Sequence, residues 1–209
     1  MPIDPATLRK AEARLRRSDP VLAAIMRDVG PCRLRTDETG GAFAALVESI
    51  VYQQITGKAA ASIYGRVRKL IKRRHPRPQD ILAATEEALR GAGLSRQKVA
   101  YLRDLAEKVR DGLKLRALGR LENEAVIEAL TEVKGIGRWT AEMFLMFSLM
   151  RPDVLPVDDL GLRRAMERAY NGGKDLTRDE MREIGAPWAP YRSCATWYLW
   201  RSLDEMDFG

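Results

Sequence analysis

The most informative stretch of the sequence lies between two helical patterns and reads Leu130-Thr131-Glu132-Val133-Lys134-Gly135-Ile136-Gly137-Arg138-Trp139-Thr140-Ala141. Gly135 and Gly137 are expected to permit positive φ angles and a close approach of the backbone to another group. Their N–H groups, together with those that open the next helix, can point at one phosphate without help from a charged side chain. A G-x-G sequence alone is more often only a tight turn, so the interpretation depends on the rest of the chain.

The rest of the chain carries helical patterns, and no stretch alternates as a β-strand does. Leu8, Ala11 and Leu15 form the first apolar stripe, Asp19-Pro20 starts a second helix, and Ser95 is placed as an N-cap. We therefore predict an all-α fold with about ten helices. After the first stripe, the predicted helices cover residues 21–29, 42–55, 57–74, 81–84, 86–92, 97–112, 123–130, 138–150, 160–170, 178–184 and 189–203.

Composition excludes several classes of site. The 209 residues include 36 Lys and Arg against 29 Asp and Glu, and their net charge of +7 is a weak hint of a polyanionic partner. At 45% hydrophobic residues, the chain can form a core. Two cysteines, Cys32 and Cys194, and one histidine, His75, are too few for a disulfide scaffold, a four-cysteine cluster or a multi-histidine metal site. We expect both cysteines to be reduced thiols in the core or near the surface that bind no metal, and His75 to be exposed and inert.

Nothing in the sequence has the form of a targeting or membrane segment. Residues 1–17 mix acidic and basic side chains, and the apolar run at 143–150 is far shorter than the roughly 20 residues that a bilayer requires. We expect no membrane partner and an intracellular location, in the cytoplasm or nucleoid, or in the nucleus of a eukaryote.

Four motifs in sequence order resemble one family of DNA repair proteins. The hairpin at 135–141 is followed by Pro156-Val157-Asp158-Asp159, and residues 50–60 and 89–98 supply the other two motifs. Together they resemble the helix-hairpin-helix DNA glycosylase superfamily and, within it, the alkylpurine branch of the 3-methyladenine DNA glycosylase II type. The resemblance runs from about residue 19 to residue 201. Some relatives carry an additional N-terminal β-rich domain, for which this chain is too short.

The resemblance implies one glycosylase domain over residues 1–209, in which two helical subdomains flank a cleft. The first subdomain is expected at about 37–158, and the second combines 1–36 with 159–209. The expected partner is double-stranded DNA that contains alkylated bases, and the expected oligomeric state is a monomer.

The implied reaction is hydrolysis of the bond between a damaged base and deoxyribose. Positive charge develops on the sugar as this bond breaks, and a nearby carboxylate can stabilise it and orient or deprotonate a water. By its position in the motif, Asp159 is the catalytic candidate, whereas Asp158 is expected to cap the next helix or shape the loop. The plainer alternative is that both aspartates are helix caps.

The resemblance also assigns a base pocket. Trp139 is the leading residue for stacking on a cationic purine, and it stands where strand-cleaving relatives have a lysine nucleophile, so a monofunctional enzyme is expected. The further pocket candidates are Gln53, Tyr191, Trp188, Met143 and Leu160. Trp188 could equally be a core residue. We interpret Trp197 and Trp200 as core residues because they lie on one helical stripe.

DNA contacts follow from the same motifs. Gln54 is the expected intercalating residue and Ile55 the alternative wedge, because the flipped base leaves a gap in the duplex. The expected phosphate contacts are Lys58, Lys134, Gly135, Gly137, Arg138 and Thr140. The surplus positive charge is accordingly expected near the hairpin, Lys58 and the cleft rim.

No cofactor is expected to be required. The backbone carbonyls of Thr131, Val133 and Ile136 resemble a site at which relatives hold a structural Na⁺ or K⁺, and no catalytic metal is expected.

Two other functions remain open from the sequence. One is a glycosylase for other damaged bases, such as deaminated or etheno bases, because Met143 and Leu160 make the pocket less aromatic than in some relatives. The other is a non-catalytic DNA-damage binding protein that uses the same hairpin.

Overall fold

The structure, a computed structural model, describes residues 3–35 and 40–204, and all regular secondary structure within them is helical. The all-α prediction is therefore confirmed. Two short 3₁₀ helices, Leu115–Arg120 and Ala186–Trp188, were not predicted. The α-helices of the described residues are α1 (Pro5–Ser18), α2 (Pro20–Val29), α3 (Ala42–Tyr52), α4 (Gly57–Leu70), α5 (Pro78–Ala83), α6 (Glu86–Gly91), α7 (Arg96–Asp111), α8 (Asn123–Thr131), α9 (Arg138–Phe147), α10 (Leu160–Tyr170), α11 (Arg178–Gly185) and α12 (Arg192–Asp204).

Side-chain caps start many of these helices where the sequence placed them. The Ser95 hydroxyl accepts the Lys98 N–H at 3.1 Å, and Asp19 accepts the Leu22 N–H at 2.9 Å. Helix ends are less accurate in the prediction: α3 ends at Tyr52 and α9 at Phe147, each three residues before the predicted end. No helix in the described part of the chain is both long and apolar enough to span a bilayer.

The described residues form two compact units. The first contains residues 3–35 and 145–204, and the second contains residues 40–144. The second boundary thus falls after Phe144, whereas the sequence placed it after Asp158. The reason lies in the bonds of the intervening segment, since Met150 accepts the Ile3 N–H at 2.8 Å and Pro152 accepts the Ser193 N–H at 3.0 Å.

The core of the first unit is organised around the buried carboxylate of Asp19. Besides capping α2, this carboxylate accepts the indole N–H of Trp188 at 2.7 Å and the hydroxyl of Tyr170 at 2.8 Å. Trp188 is completely buried, so its ring has no face open to a base. Its predicted place in the base pocket is therefore wrong, and its role is to pack the core. Burial and the bond to Asp19 raise the pKa of Tyr170.

We expect Asp19→Asn to lower the free energy of unfolding by about 2 kcal/mol, because an amide nitrogen in place of Oδ2 would face the buried Trp188 donor. Urea denaturation followed by circular dichroism measures this change. The same substitution at the exposed Asp28 of α2 serves as the control and should leave stability unaltered. Equal stability of the two variants would contradict a structural role for Asp19.

The core of the second unit forms where α3 and α7 pack together and against α4, α5 and α6. Its fully buried side chains include Leu46, Ile50, Ile81, Leu102 and Leu105.

The structure also shows the surroundings of three residues outside the motifs. Cys32 and Cys194 are free thiols, and of the two expected positions, core or near surface, both occupy the core. His75 is not freely exposed, because its ring packs directly on Gly40, where an added Cβ would lie 2.1 Å from the imidazole.

Candidate functional site

The hairpin between α8 and α9 is closed by backbone bonds and by burial of its apolar residues. The Val133 N–H donates to Leu130 at 3.1 Å, and the Ile136 N–H donates to Val133 at 3.0 Å. The side chains of Val133 and Ile136 are buried, at 1% and 3% exposure. The alternation of apolar and glycine residues thus anchors the turn and leaves its backbone at the surface.

The two hairpin glycines have different roles. Gly135 has φ +82°, and a Cβ there would lie 2.1 Å from the ring of Tyr101 on α7, so both conformation and space require glycine. Gly137 has no positive φ, and an added Cβ would meet nothing within 4 Å. The expectation of a positive φ is therefore correct for Gly135 and wrong for Gly137.

Gln53 connects the end of α3 to the hairpin. Its side-chain amide donates to the Gly135 carbonyl at 2.8 Å. Its backbone carbonyl accepts a hydrogen bond from the Lys98 ammonium, also at 2.8 Å. Lys98 also donates to the Val51 carbonyl at 2.6 Å, and its burial lowers its pKa. The sequence did not identify Lys98 as part of this site, because no local pattern shows that a lysine near the start of α7 reaches the end of α3.

A depression of about 540 Å³ in the second unit gathers much of the predicted site. Its lining includes Gln53, Gln54, Gly135, Gly137, Trp139 and Thr140. Trp139 is 43% exposed, so much of its indole can be reached from outside. The Thr140 side chain is buried and lies 3.5 Å from the Gln53 amide, which leaves only its backbone for a phosphate contact.

Gln54 stands out by its backbone. It follows the end of α3 with φ +58°, in the left-handed region that residues with a side chain seldom adopt, and its side chain is exposed. Ile55, 38% exposed, and Lys58, exposed in the first turn of α4, follow directly. An uncommon conformation that presents a polar side chain is a reason to look for function at this position.

The hairpin cations are paired with carboxylates. The Lys134 ammonium lies 3.5 Å from Asp104, and the Arg138 guanidinium donates to Glu124 at 2.9 Å and to Glu142 at 3.1 Å. The bond from Arg138 lowers the pKa of Glu124. The expected concentration of positive charge at the hairpin is thus largely compensated within the chain.

Asp159 lies in the first unit, at the start of α10. Its Oδ1 accepts the Leu162 N–H at 2.6 Å and the indole N–H of Trp200 at 2.8 Å. The side chain therefore caps the helix, as the plainer alternative proposed, and is also fixed by a second donor. An added Cβ at Gly161 would lie 3.2 Å from the same oxygen, so the lack of a side chain there leaves room for this arrangement.

Two sequence interpretations change around Asp159. The N-cap of α10 is Asp159, so of the two roles expected for Asp158 the helix cap is wrong; its carboxylate instead pairs with Arg178 of α11. Trp200 is only partly buried, stacks on Phe147 with ring centroids 6.0 Å apart, and donates to Asp159, so it is not simply a core residue. The helical stripe indicated that Trp200 packs inward, but it held no information about the partner of the indole N–H.

The remaining pocket candidates fall in different surroundings. Leu160 is 56% exposed beside Asp159, Tyr191 is partly buried before α12, and Met143 is partly buried on α9.

The hairpin and the capped aspartate together define the class: the chain belongs to the HhH-GPD superfamily of base excision DNA repair proteins, which matches residues 47–190. The predicted family is thereby confirmed. Among curated proteins, DNA-3-methyladenine glycosylase 1 of Schizosaccharomyces pombe is 35% identical over 206 residues, which cover 97% of this chain and 90% of that protein.

Solved structures give the same result. The DNA-3-methyladenine glycosidase of Bacillus halodurans matches with a TM-score of 0.85 and 40% identity, over 93% of this chain and 91% of that one. The S. pombe 3-methyladenine DNA glycosylase in complex with abasic DNA matches with a TM-score of 0.82 and 33% identity, over 96% and 99% of the two chains.

Proposed function

We propose that this chain is a DNA glycosylase that flips alkylated purines out of the duplex, hydrolyses their N-glycosidic bond and leaves an abasic site. The observation that carries the proposal is the Asp159 carboxylate, held by the Leu162 and Trp200 N–H groups in a member of a base excision repair family. A carboxylate with a fixed orientation suits a reaction in which positive charge appears on the sugar, since it requires no reorganisation at the moment of bond cleavage.

The base departs without a dedicated acid in this mechanism. Methylation at N3 or N7 makes a purine cationic, so the leaving group is neutral once the bond has broken. The exposed indole of Trp139 attracts such a ring by stacking and by cation–π interaction. Tryptophan cannot form a Schiff base, and the enzyme is therefore monofunctional.

Backbone N–H groups supply the main contacts with the DNA phosphates. Lys134 and Arg138 already pair with carboxylates, so a phosphate would have to compete with Asp104, Glu124 and Glu142 for them. No carboxylate in the described part of the chain accepts the N–H groups of Gly135, Gly137 and Thr140, and these groups favour an anion at the start of α9. Lys58 adds a charge near the start of α4.

A structural alkali ion is compatible with the hairpin. The Val133 carbonyl accepts the Ile136 N–H at 3.0 Å, which uses one of its two lone pairs and leaves the other for a cation. The carbonyls of Thr131 and Ile136 would complete the set. A bound Na⁺ or K⁺ would supply positive charge next to a DNA phosphate.

We assign the wedge to Gln54 and expect Gln54→Gly to lower the rate of base release by about tenfold, because nothing then fills the gap left by the flipped base. Stability should change by no more than about 1 kcal/mol, since glycine adopts this φ without strain. Single-turnover base release and urea denaturation measure the two effects.

Lys72→Gly is the matched control, because Lys72 also has a positive φ, of 52°, and is exposed. It should leave base release unchanged. A larger loss of activity in Ile55→Ala than in Gln54→Gly would move the wedge to Ile55.

Trp200→Phe tests the contact that orients Asp159. We expect base release to fall by about tenfold, because a lost hydrogen bond to a charged group costs about 1.5 kcal/mol. The phenyl ring retains the stacking on Phe147, so the fold should persist. Trp197→Phe on the same helix removes a core indole that makes an edge contact with Tyr198, and it should affect stability instead of rate. A folded Trp200→Phe protein with full activity would show that the contact is only structural.

The direct test of the function is release of 3-methyladenine or 7-methylguanine from alkylated DNA, with the strand examined for cleavage. We expect base release, an abasic product and an intact strand. Release from deaminated or etheno bases alone would instead support a glycosylase for other lesions, and damage-specific binding without release would support a binding protein. We further propose that the protein acts as a monomer where chromosomal DNA is found, in the cytoplasm and nucleoid or in a nucleus.

A further inference from the structure

A second groove in the residues 40–144 unit has no role in the function proposed above. Its volume is about 1120 Å³, and it is formed by the first residues of α3, the last turn of α7, the segment before α5 and the 3₁₀ helix 115–120. Four of its lining side chains are basic, namely Arg77, Lys114, Arg116 and Arg120, and no carboxylate is among the lining residues within 3–35 and 40–204. These four residues are called the basic groove below.

The cations of the basic groove differ from those of the hairpin in their pairing with carboxylates. All four side chains are exposed, and within residues 3–35 and 40–204 none of them takes part in an ion pair. Lys134 and Arg138 at the hairpin, in contrast, both pair with carboxylates. Cations that share a concave surface without local partners produce a positive potential that attracts anions.

Two further features favour a phosphodiester chain as the ligand of the basic groove. The N-terminus of α3 opens into the groove, and its N-cap residue Gly41 offers no side chain to the first N–H groups of the helix. Phe43, partly exposed, lines the same groove, so a sugar or base could pack beside the cations. A positively charged groove with an aromatic surface is a common way of binding nucleic acid without reading its sequence.

The basic groove is separate from the hairpin site within this unit. Both sites use α3 and α7, but at opposite ends of these helices. The hairpin depression is lined by Ser49 and Tyr52 of α3 and by Gln97, Lys98 and Tyr101 of α7. The groove is lined by Ala42, Phe43 and Ala44 of α3 and by Val109 of α7. The 11 residues of α3 span about 16 Å and the 16 residues of α7 about 24 Å. A phosphate bound at the hairpin therefore lies far from the four cations.

We propose that the basic groove binds the phosphate backbone of a second DNA segment while the hairpin holds the first. Such a site would let the enzyme pass directly between segments during its search for damage. It goes beyond base release and depends on the proposed function only through DNA binding at the hairpin.

The experiment saturates Asp159→Asn protein with an unlabelled duplex that contains an abasic site and then adds a short labelled undamaged DNA. Sedimentation and fluorescence anisotropy detect a complex of one protein with two DNA molecules. Labelled duplex and labelled single strand are used in separate arms, and binding in either arm supports the proposal and identifies the preferred form. The affinity for the second DNA should fall steeply with salt, with a slope that corresponds to about three or four phosphate contacts.

The groove variant replaces Arg77, Lys114, Arg116 and Arg120 by alanine. We expect its affinity for the second DNA to fall at least about tenfold, while base release in the otherwise wild-type protein remains within about twofold. The matched control replaces four exposed cations of α1 (Arg9, Lys10, Arg14 and Arg17) by alanine, which removes the same charge, and it should retain the second site. If the groove variant fails to fold, the pair R116Q and R120Q provides the same comparison.

Several results would overturn the proposal. These are the absence of a two-DNA complex in the wild-type background, an equal loss in the α1 control, and a large loss of base release in the groove variant. Displacement of the labelled DNA by pyrophosphate or polyglutamate as effectively as by DNA would identify a general anion site instead. Because the second-DNA assay uses catalytically impaired protein, its failure is distinguishable from failure of the glycosylase assignment, which base release by the wild-type protein tests.

Discussion

Asp159→Asn is expected to lower the single-turnover rate of alkylpurine release by about a thousandfold, a size typical of a lost charge at the developing cation of a reaction centre. Asparagine is nearly isosteric, and its oxygen can still accept the Leu162 and Trp200 N–H groups that Asp159 accepts at 2.6 and 2.8 Å. It is also as good an N-cap as aspartate. The substitution thus removes charge while the helix start remains intact.

The neighbouring aspartate supplies the control. Asp158→Asn breaks only an ion pair with Arg178 at the surface, so we expect activity close to that of the wild type. Quantification of released base from alkylated DNA with excess enzyme compares the three proteins. If Asp159→Asn releases base as fast as the wild type, or if both asparagine variants lose activity equally, Asp159 is not the catalytic carboxylate.

The hairpin glycines should separate stability from DNA binding. Gly135→Ala is expected to lower the free energy of unfolding by about 4 kcal/mol, which combines the cost of a positive φ with that of overpacking. The clash is with the Tyr101 ring, 2.1 Å from the added Cβ. Gln97 donates to the Tyr101 hydroxyl and Gln53 to the Gly135 carbonyl, so ring and backbone each have a bond that opposes displacement. Thermal or urea denaturation measures the loss.

Gly137→Ala makes the same chemical change two residues later. Its Cβ would meet no atom of the chain within 4 Å, so stability should be unchanged or slightly higher at the start of α9. If a phosphate approaches this backbone, the methyl group should weaken binding to an abasic-site duplex by about tenfold. Tight binding by Gly137→Ala would place the phosphate elsewhere, and a stable Gly135→Ala protein would contradict the packing against Tyr101.

Local patterns were sufficient for most helices and for the motifs. The apolar stripe from Leu8 to Leu15 and the caps at Asp19 and Ser95 act over one or two turns, so a single sequence contains them completely. The helix end at Tyr52 was missed because Gln53 leaves the helix to reach Gly135, a residue 82 positions away. The boundary after Phe144 was missed for a similar reason, since the bonds of Met150 and Pro152 to Ile3 and Ser193 are not local.

In the candidate site, too, local motifs predicted some residues and long-range contacts decided others. Trp139, Gln53 and Asp159 could be nominated because they stand within recognisable motifs, whereas the sequence left Trp188 open between pocket and core and assigned Trp200 to the core. The indole N–H of Trp188 binds the buried Asp19, and that of Trp200 binds Asp159. Only the packing of α12 and of the turn before it decides which tryptophan has which partner. Three cations of the basic groove lie in or directly before the 3₁₀ helix 115–120, whereas Arg77 precedes α5, so no local pattern in the sequence joined the four.

The sequence by itself determined the helical class, the hairpin and the carboxylate at the start of α10. These depend on the 3.6-residue period, on glycine conformations and on capping, each of which is a property of adjacent residues. Only the tertiary structure decided which charges are neutralised, which glycine is required by packing and which tryptophan orients Asp159. Those outcomes depend on distances between residues remote in the chain, because electrostatic and hydrogen-bond energies are set by the partners that folding brings together.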